Sequence, residues 1–228
     1  MTLPPPVHCR RSAWDSMRVC LDRIETPSGL LAGALAIASH ADPELDPERV
    51  EREIASIRHS IVSRLHGDDH RAAVAHTHAV LFDELGFRGE TDDYYDPRNS
   101  FVHQVLERRR GLPITLTLIY KLVLEPLGPH VSGVNAPGHF LARVEGGSGF
   151  TTMIVDPFAG GRVLTPQEVI AHVREVAGDS FPIDAERLPI ATHRDWLLRM
   201  LRNLIGVYHA RNLEADRAAM EELSRLLR

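Results

Sequence analysis

Cysteine is nearly absent: Cys9 and Cys20 are the whole complement of a 228-residue chain. Two thiols build no disulfide framework, and neither stands at a zinc-ligand spacing. No HExxH sequence occurs, and the glycines of Gly146–Gly149 lack the strand and helix that a phosphate-cradling loop needs. No apolar run approaches the ~20 residues of a membrane span, and the opening MTLPPPVHCRR lacks the apolar stretch of a secretory leader. Basic charge is not in excess either. The net charge is −5 and the pI about 6.2, which excludes an electrostatic case for nucleic acid or an anionic membrane as partner. The expectation is a cytoplasmic protein that needs neither cofactor nor metal.

What is present is ordinary globular material. With 43% hydrophobic and 25% charged residues, the chain can bury a sizeable core. Residues 1–12 read as a loose, Pro-rich start and 13–90 as a helical part. Residues 91–165 read as a central core and 166–228 as a C-terminal helical part, all packed as one globular unit. Within DPELDPERVEREIASIRHSIVSRL, an Asp-Pro start precedes Ile54, Ile57, Ile61 and Leu65, spaced along one helical face. His70–Leu85 predicts another helix, stopped by Gly86, and GFRGETDDYYDPRNS a loop. Asn99 is placed to cap a helix that runs into Arg108–Arg110 and breaks at Gly111.

Pro113 suits the first position of the next helix, which is apolar nearly all round to about Glu125 and is expected at the centre of the fold. Three strands follow, VSGVN, HFLARV and FTTMIVD, and then helices over 166–177 and 192–227, the latter as a hairpin. The class is α+β, a central helix against a small antiparallel sheet with helices before and after.

The chemistry-bearing residues are few. If Gly146–Gly149 is a four-residue hairpin loop, Glu145 faces Phe150, and six residues further along each strand His139 faces Asp156. Their Cβ atoms would then lie ~5 Å apart, close enough for a carboxylate to orient an imidazole. His66, Asp69, His70, His76 and His78 form a histidine-rich patch. His66 and His70 have the i, i+4 spacing of a shared metal, but no HExxH or Cys pair completes a zinc site, so surface histidines are the expected reading.

Several blocks in order, YYDPRNSFVHQVLERRRGLPITLTLIY, GVNAPGHFLARV, VDPFAGG and the flanking LAIASHADPELD, LFDELGFRG and LLRMLRNLIGVY, resemble the SirB-type branch of the transglutaminase-like superfamily. The resemblance covers most of the chain and implies a papain-like core wrapped by helices. Catalytic relatives carry Gly-x-Cys at the start of the central helix, where the helix dipole favours the thiolate. Laid on this sequence, the motif puts Pro113 at the nucleophile position, His139 at the base and Asp156 at its orienter. Proline offers neither a nucleophilic side chain nor a backbone N–H. Thr115, in the first helical turn, is a candidate to replace it, although a hydroxyl there more often serves the helix start.

Three readings follow. In the first, the protein is transglutaminase-like without its cysteine, and its cleft binds a peptide, a protein or a small amide-bearing metabolite, with Asn135, Phe140, Arg110 and Pro113 as lining residues. In the second, His139–Asp156 acts as general base in amide hydrolysis, acyl transfer or cyclisation of a small metabolite. In the third, the helices form an interaction surface and the site is vestigial.

Overall fold

The computed structural model describes residues 4–178 and 188–228, which divide into two compact units. The first unit comprises the chain up to Val50, Thr91–Arg108 and Thr192–Arg228; the second comprises Glu51–Glu90 and Arg109–Ala191.

The helices of the first unit are α1 (Arg11–Cys20), α2 (Pro27–Ala41), α5 (Val102–Arg108), α8 (His193–Ala210) and α9 (Glu214–Leu226). Local signals explain where they begin. Thr26 caps α2 by accepting from the Gly29 amide, with Pro27 at the first helical position. Thr192 and Asp195 form a reciprocal capping box on α8. Helices α8 and α9 make the expected hairpin, turned at Asn212 in the left-handed region. Gly33 of α2 lets Leu197 of α8 approach so closely that a Cβ there would lie 2.3 Å from its methyl. The Pro-rich start is tied down at Val7–Cys9, whose three amides donate to the Glu222 carboxylate.

Asn99 does not cap α5. It lies in a 3₁₀ turn, Pro97–Ser100, that Asp96 caps. Its buried side chain donates to Asp93 O and accepts from Arg108. An amide with both a donor and an acceptor serves a loop better than a helix end when the loop carbonyls are buried.

The second unit takes α3 (Pro47–Val62) from Glu51 on, α4 (His70–His78), α6 (Pro113–Leu124) and α7 (Pro166–Ala177). In α3, Ile54, Ile57 and Ile61 are buried as expected, but the helix ends at Val62, so Leu65 falls in the following turn. Helix α4 continues as a π-helical turn, Ala79–Glu84, closed by Gly86 at φ +70°. All twelve residues of α6 are buried, the central position its apolar sequence predicted. Even Lys121 fits, because its ammonium is met by Glu125 and by Val131 O.

Five strands form an antiparallel sheet that meets α6 through β3 and β4: β3 (His130–Val134), β4 (Leu141–Glu145), β5 (Met153–Asp156), β6 (Arg162–Leu164) and β7 (Ile190–Ala191), in the order β6-β5-β4-β3-β7. A separate two-stranded parallel ribbon joins β1 (Arg88–Gly89) to β2 (Arg110–Gly111). The helix break before α6 is therefore at Arg109, which takes φ 59°, while Gly111 is ribbon.

The β4–β5 register differs from the expected one by two residues. Arg143 faces Ile154 and Val144 faces Met153, so Glu145 does not face Phe150 and the connection is longer than four residues. Outside contacts hold that longer loop. The Gly147 amide donates to His70 Nδ1, and Arg71 donates to Gly149 O.

Candidate functional site

His139 stands at the end of a tight turn, Ala136-Pro137-Gly138-His139, in which its amide donates to Ala136 O at 3.2 Å. Proline followed by glycine at φ +68° is the pattern of a type II turn. The glycine is doubly required, since a Cβ on it would meet Val176 of α7 at 2.5 Å. Asp156 ends β5 and begins another turn through Pro157. Its Oδ1 accepts from the amides of Phe158 (3.0 Å) and Ala159 (3.3 Å). Gly160 and Gly161, both at positive φ, return the chain to β6, with Phe82 of the π-helical turn seated on Gly161.

The two turns bring His139 Nε2 to 2.9 Å from Asp156 Oδ2. Both residues are buried, 8% and 9% exposed. An ionised carboxylate only accepts, so the imidazole carries a proton on Nε2, and its neutral form then has the lone pair on Nδ1. Two amides on the other carboxylate oxygen fix the orienter before it touches the histidine. The arrangement can accept a proton or an N–H donor at Nδ1 and return a proton from the same atom.

Aromatic groups set the imidazole plane. Phe158 meets His139 edge-on, with centroids 5.8 Å apart, and is itself seated on Gly89 of β1, whose amide donates to Phe158 O. The sequence reading missed the second neighbour, His172 of α7. Its ring centroid lies 4.8 Å from that of His139, and its Nε2 is enclosed without a hydrogen-bond partner. Burial first, and the neighbouring His139 second, hold the His172 imidazole below its ordinary pKa, against the pull of Asp156 and Glu175. Helical spacing from Val169 and Val173 would have placed residue 172 on the inward face, but nothing local identified what it faces.

The other expected residues are placed as follows. Pro113 opens α6, and Thr117 Oγ1 lies 2.8 Å from Pro113 O and 3.3 Å from Phe140 O, linking the first turn of the helix to the residue after His139. Thr115 is fully buried, and its hydroxyl has no hydrogen-bond partner, so no base takes its proton. The Phe140 ring is 1% exposed and belongs to the core; its carbonyl is the part near the helix start. Asn135 is half-buried after β3, its amide donating to Pro189 O. Arg110 is half-buried in β2, and its side chain pairs with no acid among the described residues.

The cysteines belong to the first unit. Burial, then the Glu222 charge, pushes the Cys9 thiol up to about 12, and burial raises Cys20, which donates to Met17 O. Neither is a ready thiolate. Among the described residues no three His, Cys, Asp or Glu side chains gather as metal ligands do. His70 instead accepts from Gly147 and His78 bonds the Tyr120 hydroxyl at 2.9 Å.

Comparison with known proteins shows the family. The family pattern described as "Transglutaminase-like superfamily" matches residues 48–202. A UPF0162 protein of Xylella fastidiosa is 39% identical over 198 residues, covering 83% of this chain and 68% of that protein. A UPF0162 protein of Pseudomonas aeruginosa is 30% identical over 201 residues, covering 86% and 71% respectively. F-box only protein 21 of Mus musculus is 43% identical over 95 residues, which are 39% of this chain and 15% of that protein. No solved structure matches. No helix among the described residues is long and apolar enough to cross a membrane.

Proposed function

The chain belongs to the transglutaminase-like superfamily and to its UPF0162 family, and on that premise we propose that it is a cysteine-independent member that binds an amide-bearing partner. The partner class is a peptide, a protein segment or a small carboxamide, met at the cleft beside His139. The finer placement in the SirB-type branch, and a cytoplasmic address, are part of the same proposal.

One observation carries the reading: His139 Nε2 is bonded to an Asp156 that two amides already hold. Pro113 opens α6, and the resemblance puts that position at the superfamily's nucleophile. On this reading His139 and Asp156 are the base side of the superfamily's apparatus, kept without a nucleophile. An imidazole held this way presents the Nδ1 lone pair in a fixed direction, an acceptor for an amide N–H. Arg110, half-buried and without an acid partner among the described residues, offers a donor for the corresponding carbonyl or for a carboxylate.

The test is a calorimetric titration of the purified chain with a panel of short peptides and small carboxamides. His139→Ala should remove or weaken binding by about tenfold or more, and Cys9→Ser with Cys20→Ser should leave it unchanged. A ligand bound equally well by His139→Ala would sink the proposal.

The second reading, general-base catalysis, is favoured by the same fixed carboxylate, which would stabilise an imidazolium as it forms. It requires product to accumulate with one of these amides. His139→Ala would then lower turnover while leaving ligand affinity nearly intact.

A further inference from the structure

His172 breaks the pattern of its own helix. The buried face of α7 is built from Val169 and Val173, both fully buried; Val176, one turn further, is largely exposed but touches Gly138. Positions 169, 172, 173 and 176 share one helical stripe. Three of the four are valine, and the fourth, directly over the site, is an imidazole whose ring lies against His139. A valine or leucine there would pack without leaving a polar atom unsatisfied. The enclosed Nε2 costs about 1–3 kcal/mol for want of a partner.

The placement of α7 is strongly specified. Thr165 and Glu168 form a capping box at its start, Arg162 pairs with Glu168, and Val169 joins the apolar cluster of Val134, Leu141 and Leu188. Gly138 at positive φ admits Val176 and so presses α7 onto the backbone that carries His139. A helix fixed at its start and along its apolar face does not leave residue 172 free to point elsewhere.

We propose that His172 is a positioning residue for His139: its ring holds the His139 imidazole in the orientation that gives Nε2 to Asp156 and presents Nδ1 to the ligand. The proposal rests on the reading of His139 as the working imidazole. With Phe158 meeting the ring edge-on from one element and His172 from another, the imidazole has one plane available to it. The charged and titratable groups bearing on His172 are His139 and Asp156 from the sheet side and Glu175 on its own helix. Two cationic imidazoles at this separation repel, so a charge on one ring disfavours a charge on the other.

The experiment is a long-range ¹H–¹⁵N correlation of the histidine-labelled full chain, titrated from about pH 4.5 to 8.5. It needs no ligand, so its outcome is independent of whether the amide-binding proposal holds. In the wild-type chain His139 should show the Nε2–H tautomer. His172→Phe, which keeps a ring without a titrating nitrogen, should preserve that tautomer. His172→Ala should convert it to the averaged pattern of a freely rotating imidazole. In His139→Gln, the His172 midpoint should rise, because the neighbouring imidazole that helps hold it down is gone. The proposal is overturned if His139 keeps an unchanged tautomer in His172→Ala, or if His172 titrates identically with and without His139. Should His172→Ala fail to fold, the phenylalanine and His139→Gln variants still decide it.

Discussion

His139 and Asp156 meet through a carboxylate already committed elsewhere: Oδ2 lies 2.9 Å from His139 Nε2, and Oδ1 accepts from the amides of Phe158 and Ala159. One side chain therefore closes the turn after β5 and orients the imidazole. Site geometry and local stability are coupled at this residue.

Asp156→Ala should destabilise the chain by about 1–3 kcal/mol, because it leaves buried donors on the histidine and the turn without an acceptor. Asp156→Asn should cost less, since its amide oxygen can still serve the turn. Urea denaturation at neutral pH measures both. An alanine variant as stable as the parent would mean that water replaces the carboxylate.

Thiol reactivity should be low. With the Cys9 thiol raised from 9.0 to about 12, its thiolate fraction near neutrality falls by about a thousandfold. Alkylation by iodoacetamide in the folded chain should lag a free thiol by that order at Cys9 and by less at Cys20. Rates close to those of the unfolded chain would contradict the burial of both.

Pro113→Cys tests what the start of α6 can do. A cysteine there sits at the first position of a twelve-residue helix, where the dipole lowers a thiol pKa. The introduced thiol should alkylate at least tenfold faster at pH 7 than Cys20, and His139→Ala should slow it. Reactivity unaffected by His139→Ala would separate the helix start from the imidazole.

Gly138→Ala should be costly twice over, from a left-handed φ of +68° and from a Cβ 2.5 Å from Val176. A loss of about 1–3 kcal/mol is expected. Adding Val176→Ala should recover only the steric part, and chemical denaturation of the two variants separates the contributions.

Glu222 predicts the acid limit of the first unit. Burial works against its ionisation, but the amides of Cys9, Val7 and His8 outweigh it and hold the carboxyl below its ordinary 4.5. A depressed folded pKa gives stability that is fully present above the unfolded value and is lost as pH falls through the folded one. Glu222→Gln should therefore lower stability by about 1–3 kcal/mol at neutral pH and flatten its dependence below pH 4.5. Equal slopes for the two proteins would remove Glu222 from the acid transition.

Sequence alone determined the buried helix from Pro113, because an all-round apolar stretch behind an N1 proline has no stable place except the interior. It also put His139 close to Asp156, and a 2.9 Å contact joins them, though the two meet from turns at the strand ends and not as cross-strand partners. The observed register is shifted by two residues, and side chains alternate with period two, so a shift of two moves neighbours along the strand without exchanging faces. The shift itself was not legible. The longer β4–β5 loop is held by His70 and Arg71, residues of a distant helix whose approach no local pattern encodes. Asn99 was misread for a similar reason, since its amide answers the Asp93 carbonyl and the Arg108 guanidinium rather than a helix end. His172 was beyond local reading altogether: sequence spacing puts it on the inner stripe of α7, but only the packing of that helix onto Gly138 decides that the inner stripe ends on His139.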